Sequence, residues 1–214
     1  MNNAIGIVDE ANEGSKRDNL GIETHTKSLI KFITDTNTPI TVGIQGEWGS
    51  GKTSLINKIH HHFEQPDQER IKQIWINSWE YSLLSTPEEA LLKIVNRIID
   101  ELVDADPNKA RVDKIKSGAK TIFQGALRVG ASVAAGSEAA KVAGELMNSA
   151  GQSISELRKQ LSSVVNEMAE RDTNPYEKVI IYVDDLDRIE PRNAVAILEL
   201  LKNIFSVPKC VFIL

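Results

Sequence analysis

Cysteine is nearly missing from this sequence. The 214 residues include one, Cys210, so no intramolecular disulfide can form. Its setting, the apolar run CVFIL, reads as a small buried hydrophobe rather than a reactive thiol. Aromatic residues make up only 5% of the chain. No stretch reaches the length of uncharged apolar sequence that a membrane-spanning helix needs. The start, MNNAIGIVDEANEG, has neither a basic head nor an apolar core and does not read as a secretory signal, so a cytoplasmic protein is expected. A dense Lys/Arg stripe is also lacking and the formal net charge is -5, which gives no electrostatic signal for a nucleic-acid partner.

What is present is a chain that is 41% apolar and long enough for one α/β domain with a sizeable core. Residues 1–19 are polar. Leu29, Ile30, Phe32 and Ile33 fall at helical spacing within 24–35, and Thr38-Pro39 closes that segment. ITVGI (40–44) reads as a short buried strand. Leu55, Ile56, Ile59 and Phe63 mark one face of a helix that Pro66-Asp67 breaks. KQIWINSW (72–79) reads as a second strand. Thr86, Pro87 and Glu89 form a capping-box start for a helix carrying Leu91, Ile94, Val95, Ile98, Ile99 and Leu102.

Residues 105–152 are rich in Ala, Gly and Ser and read as an insertion, partly helical. Helical period returns with Leu157, Leu161, Val164, Val165 and Met168, a stripe expected to be core rather than coiled coil. KVIIYVDD (178–185) is the strongest strand signal. A helix opening at Pro191 and a last strand, KCVFIL, follow. The divisions expected are a loose segment 1–19, a first core part 20–104, the insertion 105–152 and a second core part 153–214. Strands alternating with helices predict an α/β fold, a parallel sheet flanked by helices in three layers.

Between the first strand and the helix after it lies GIQGEWGSGKTS, residues 43–54, where glycine serves neither element. Gly46 and Gly51 stand five apart and are followed by Lys52 and Thr53, the phosphate-loop spacing. A triphosphate must be approached by several backbone N–H groups at once. A Cβ would block that approach, and some of the turns need positive φ. The helix N-terminus near Lys52 adds N–H groups and partial positive charge. Gly46, Glu47, Trp48, Gly49, Ser50, Gly51, Lys52, Thr53 and Ser54 are therefore the expected nucleotide-binding residues. Lys52 would reach the β- and γ-phosphates, and Thr53 would offer its hydroxyl to Mg²⁺.

Such a loop calls for a carboxylate at the end of a neighbouring strand. Ile180 to Val183 lead directly to Asp184, which is expected to hold Mg²⁺ through water. Asp185 is then placed to orient or deprotonate an attacking water, which favours hydrolysis. Asp187 and Arg188 read equally well as part of the site or as a surface ion pair. His60, His61 and His62 are consecutive on a helix, point in different directions and do not suggest a metal site. Trp48, Trp75 and Trp79 read as packing residues, with Trp48 also able to shape the loop.

Taken together, TPITVGIQGEWGSGKTSL, INSWEY and VDDLDRIEP resemble the KAP family of P-loop NTPases, in that family's order over residues 38–191. The upstream DNLGIETHTKSLIKFI also resembles its lead-in helix. The resemblance implies the P-loop NTPase fold and a signalling-type NTPase related to the STAND class, one that uses ATP binding and slow hydrolysis to switch assembly or partner binding. Bacterial members are linked to phage exclusion and defence. Carried over by residue, the resemblance makes Gly46 to Thr53 the nucleotide loop, makes Asp184 and Asp185 the Mg²⁺ and water-activating acids, and makes Asp187 and Arg188 the rest of the acidic strand-end motif.

Two departures stand out. Many members carry transmembrane helices between the two nucleotide motifs, but here Lys120, Arg128, Glu138, Lys141 and Glu145 interrupt that slot. A charge at bilayer depth costs about 2.5–3.5 kcal/mol on insertion scales, so a soluble insert is expected. In the family, more sheet, a sensor residue and a helical region follow the position of Leu214. The resemblance also sets the final strand between the phosphate-loop strand and the acidic strand, which would leave one side of the phosphate-loop strand for another partner. The expectation is a fragment, or a short member that completes itself by self-association or with a protein partner.

Three functions remain open on the sequence. The first is an Mg²⁺-dependent ATPase acting as a regulatory switch, with Lys52 and Asp185 catalytic. The second is a nucleotide-dependent scaffold without significant hydrolysis. The third is a small-molecule kinase, which would consume ATP only with an acceptor. No arginine finger is assignable; Arg188 and Arg192 are both candidates.

Overall fold

The structure, a computed structural model, describes residues 21–82, 87–103, 108–120, 155–170, 175–186, 198, 202 and 206–214. The chain divides into two compact units. One includes residues 43–69 and the segment up to Thr36; the other comprises 37–42 and 70–214.

The larger unit is built on a parallel sheet. Its described strands are β1 (Ile40–Val42), β2 (Ile71–Asn77), β3 (Lys178–Asp184) and β4 (Cys210–Ile213), in the order β1-β4-β3-β2. All three pairings are parallel, so every strand presents its carboxyl end at the same edge. The final strand does lie between the phosphate-loop strand and the acidic strand, as the family resemblance implied. Central and edge strands differ as burial requires. Val179 to Val183 of β3 and all of β4 are buried on both faces, whereas β2 buries alternate residues, Ile74 and Ile76. The backbone N–H of Leu214 donates to the Val42 carbonyl at 2.9 Å and that of Lys209 to Thr38 Oγ1 at 2.8 Å, which ties the last strand to β1.

Parallel strands need long crossovers. The connection from β2 to β3 includes α3 (Ser78–Ser82), α4 (Pro87–Val103), α5 (109–120) and α6 (155–169). One face of the sheet, carrying Ile74, Ile76, Val179, Ile181, Val183, Cys210 and Phe212, shares a core with these helices. Helix α4 contributes Ile94, Ile98, Ile99 and Leu102 to that core, and α6 contributes Leu157, Leu161, Val164, Val165 and Met168. The α6 stripe is thus core, as its spacing indicates. Ile115 and Ala119 of α5 enter the same core, so the start of the Ala/Gly-rich stretch is helical and packed. Residues 121–154 lie outside the described part. Polar ties link the helices: Lys116 pairs with Asp100 at 2.8 Å, Arg111 with Glu167, and Lys72 of β2 donates to the Glu101 carbonyl. On the opposite face Trp75 stacks on Tyr182 at 5.2 Å, and the Tyr182 hydroxyl donates to Gln73 at 2.5 Å.

The smaller unit holds α1 (Glu23–Asp35) and α2 (Lys52–Phe63). Ile33 of α1 and Ile56, Ile59 and Phe63 of α2 are buried, while Phe32, expected on the buried face of α1, is 45% exposed.

Three boundaries differ from the sequence reading. The first strand stops at Val42 rather than residue 44. The second stops at Asn77, because Asn77 Oδ1 accepts the Trp79 backbone N–H at 3.1 Å and turns the chain into α3. The fourth begins at Cys210 because Lys209 adopts a left-handed φ of 65°. Nearly all of the helix expected from Pro191 lies outside the described residues.

Candidate functional site

The glycine-rich loop begins at Gly43, the residue after β1, and ends where α2 starts. Its backbone demands glycine at two points and crowds a side chain at a third. Gly49 has φ 76° and Gly51, the residue capping α2, has φ 89° and ψ 20°, conformations that L side chains rarely adopt. At Gly46 the constraint is space: a Cβ there would stand 2.5 Å from Ser50 Oγ, which would have to turn away, and 3.4 Å from Ser50 Cβ. A turn closes between them, with the Ser50 N–H donating to the Glu47 carbonyl at 3.2 Å.

Lys52 is folded back over this turn. Its Nζ donates to the carbonyls of Gly46 at 3.1 Å and Glu47 at 3.2 Å. The ammonium is thereby brought over the same backbone whose glycines are stripped of side chains. Helix α2 has no acidic residue in its first turn, so nothing there offsets the partial positive charge of its N-terminus. The structure thus brings Gly46, Glu47, Ser50 and Lys52 together and starts the helix so that Thr53 and Ser54 lie in its first turn. This donor set fits a phosphate chain: bare amides, a helix N-terminus and a cation beside them. Trp48 departs from expectation. It is 90% exposed and therefore packs against nothing of consequence, because the loop holds it outward at the turn.

The two acids lie in the other unit. Asp184 ends β3, and its Oδ1 accepts the backbone N–H of Asp185 at 2.9 Å. Asp185 has φ 61°, a left-handed conformation that Asp tolerates better than most residues. Both are half-buried. Hard oxygen donors at a strand end suit Mg²⁺. Asp187, Arg188 and Arg192 lie outside the described residues.

Two residues near Asp184 had no role in the sequence reading. Strand register places Asn77 of β2 opposite Asp184, where its Nδ2 donates to Glu80 at 3.3 Å. The next residue, Ser78, is wholly buried, and its hydroxyl has no hydrogen-bond partner among the described residues. The INSW motif is the signal that could have found both, since a polar pair closing a strand beside an acidic strand end is unusual for packing alone.

Among the described residues no group of three or more His, Cys, Asp or Glu could hold a metal, and the three consecutive histidines form no such cluster. Burial lowers the pKa of His60, with Glu64 acting in the opposite sense and His61 in the same one. Burial pushes the Cys210 thiol up to about 12, which makes it inert in the folded chain. No helix among the described residues is long and apolar enough to cross a membrane.

Residues 23–214 match the KAP family P-loop domain, a span that contains the loop, both acids and all four described strands. No curated protein matches the chain.

Proposed function

Since the chain belongs to the KAP family of P-loop domains and so to the nucleotide-binding proteins, we propose that it binds Mg²⁺·ATP and hydrolyses it slowly as a regulatory switch. The observation that carries this reading is Lys52 lying across the Gly46 and Glu47 carbonyls, above a turn with two left-handed glycines. In this reading the amides of residues 46–53 hold the phosphates. Lys52 exchanges its two carbonyls for phosphate oxygens, a stronger charge-assisted contact. The Thr53 hydroxyl and the Asp184 carboxylate hold Mg²⁺, which would neutralise charge on the phosphates, and Asp185 orients or deprotonates the attacking water. A finger supplied by a neighbouring chain would raise turnover by about 10³–10⁵, so low activity in isolation is expected. Switching through self-association or a protein partner, in a setting such as phage defence, fits this class of NTPase.

The test is a thermal-unfolding series with ATP, GTP and Mg²⁺ on wild type and Lys52→Ala, paired with phosphate release. At ATP about 100-fold above its dissociation constant, linkage gives roughly 2.7 kcal/mol of stabilisation, which Lys52→Ala should largely remove. Equal shifts in the two proteins would overturn the reading. A full shift without phosphate release in either wild type or any assembled form would move it to the nucleotide-dependent scaffold.

A further inference from the structure

The smaller unit has a second polar feature. A cavity of about 430 Å³ opens between α1 and α2. Its charged and titratable lining is Glu23, Lys27 and Lys31 from α1 and Lys58, His61 and His62 from α2, three lysines against one carboxylate. We propose that this cavity is an anion site for a small phosphate monoester, separate from the glycine-rich loop.

Lys58 carries the argument. Its side chain is only 8% exposed, and it occupies a position on α2 between buried Ile56 and Ile59, where an apolar residue would be expected. A buried ammonium is costly unless its donors are satisfied. Among the described residues the carboxylate facing it is Glu23, with Oε2 at 3.5 Å. The other oxygen of that carboxylate stands 3.5 Å from Lys27. Two cations thus share one acid, both at long range, where a tight charge-assisted contact measures about 2.7–2.9 Å. The remaining acids of the two helices are turned to other bases. Asp35 pairs with Lys31 at 2.9 Å, and Glu64 lies 3.4 Å from His60 and 3.7 Å from His61. Among the described residues the cavity wall is left with an excess of positive charge, and its most deeply placed cation has room for further acceptors.

That chemistry selects the ligand. Lysines act as compact point charges suited to phosphate, and a dianionic phosphate can accept from Lys58 on one wall and Lys27 on the other. The volume falls at the low end of the roughly 300–1,000 Å³ typical of small-molecule sites, more than a bare phosphate fills, so an organic group belongs beside it. Ile30 supplies an apolar surface for that group. Along α2, at about 1.5 Å per residue, Lys58 lies roughly 9 Å from Lys52, so the two anion sites are distinct.

The test uses the full chain saturated with Mg²⁺ and a non-hydrolysable ATP analogue, into which AMP is titrated by calorimetry, with inorganic phosphate as competitor. The expected result is saturable one-site binding of AMP that phosphate displaces. Lys58→Met should weaken it by about tenfold or more, and Lys27→Glu, an exposed change that spares the fold, should weaken it several-fold. Lys52→Ala should leave it unchanged. Absence of saturable AMP binding to wild type overturns the proposal. So does binding that Lys52→Ala removes and that Lys58→Met and Lys27→Glu spare, and so does failure of phosphate to compete. The AMP titration can be repeated on Lys52→Ala without the analogue, so a failure of the nucleotide reading is distinguishable from a failure of this one.

Discussion

The Asp184 carboxylate accepts the backbone N–H of Asp185 at 2.9 Å, and Asp185 itself sits in the left-handed region at φ 61°. The strand therefore ends on an acid that fixes the turn carrying the next acid. A non-glycine residue in that region costs on the order of 1–3 kcal/mol, least for Asp and Asn. Asp185→Asn should keep stability and ATP binding while lowering phosphate release. Asp185→Ala should unfold about 1 kcal/mol more easily than Asp185→Gly, a difference of about 2–4 °C in midpoint for a chain of this size. Equal midpoints for Ala and Gly would show that the turn bears no strain.

Asp184 has two roles that one pair of variants separates. Asp184→Asn keeps an oxygen for the Asp185 N–H but loses the negative charge. It should hold its midpoint without ligand and lose the Mg²⁺-dependent part of the ATP shift. Asp184→Ala loses both, and leaving that N–H without its acceptor costs about 1–3 kcal/mol. A normal Mg²⁺ dependence in Asp184→Asn would remove Asp184 from the metal site.

The glycines of the loop are expected to fail in different ways. Gly51→Ala forces a Cβ into a left-handed cap at about 1–2 kcal/mol, so it should lower the midpoint even without nucleotide. Gly46→Ala meets Ser50 instead, at 2.5 Å from its Oγ. Its loss of ATP binding should be partly restored by adding Ser50→Gly, which removes the clashing atoms. No rescue in a double-mutant cycle would show that Gly46 is required for something other than the space Ser50 occupies.

How much of this was legible in the sequence follows from which signals were local. The loop was legible because glycine spacing and a following Lys-Thr answer to backbone geometry alone. Strand β3 and helices α4 and α6 were legible because long apolar periods outweigh tertiary context. The end of β2 was not: KQIWINSW reads as strand through residue 79, whereas the side chain of Asn77 decides the turn into α3. For Trp48 the sequence suggests packing or a part in shaping the loop, and its exposure is set by a turn whose direction only the three-dimensional loop defines. Lys58 is not legible in the sequence, because a charge at an apolar helical position breaks the period without showing that it is buried.

Exposure at Trp48 is a spectroscopic handle. At 90% exposed, its emission should be red-shifted and open to quenching by iodide, and Trp48→Phe should remove most of the quenchable signal while Trp75, stacked on Tyr182, and the 36% exposed Trp79 remain. Because Trp48 lies within the loop, saturating Mg²⁺·ATP should change that signal in wild type and not in Lys52→Ala. Iodide quenching unaltered by Trp48→Phe would place the residue in contact with protein.

Cys210 reports on the centre of the sheet. It lies in β4 between β1 and β3, opposite Val179, and is fully buried. Its pKa is pushed by burial from 9.0 to about 12, so thiolate is scarce in the folded chain at neutral pH. Alkylation by iodoacetamide should therefore require opening of the sheet rather than fraying of a helix end. For a domain of ordinary stability, about 5 kcal/mol or more, the native rate should lie at least about a thousandfold below the rate in urea. The sign with pH follows from the same shift. The folded chain disfavours the thiolate, so this contribution to stability is complete below pH 9.0 and is lost as pH rises toward about 12. Cys210→Ala should flatten that part of the alkaline unfolding curve. A native alkylation rate within a few-fold of the unfolded rate would mean that β4 opens readily, and the order β1-β4-β3-β2 could not then describe a stable core.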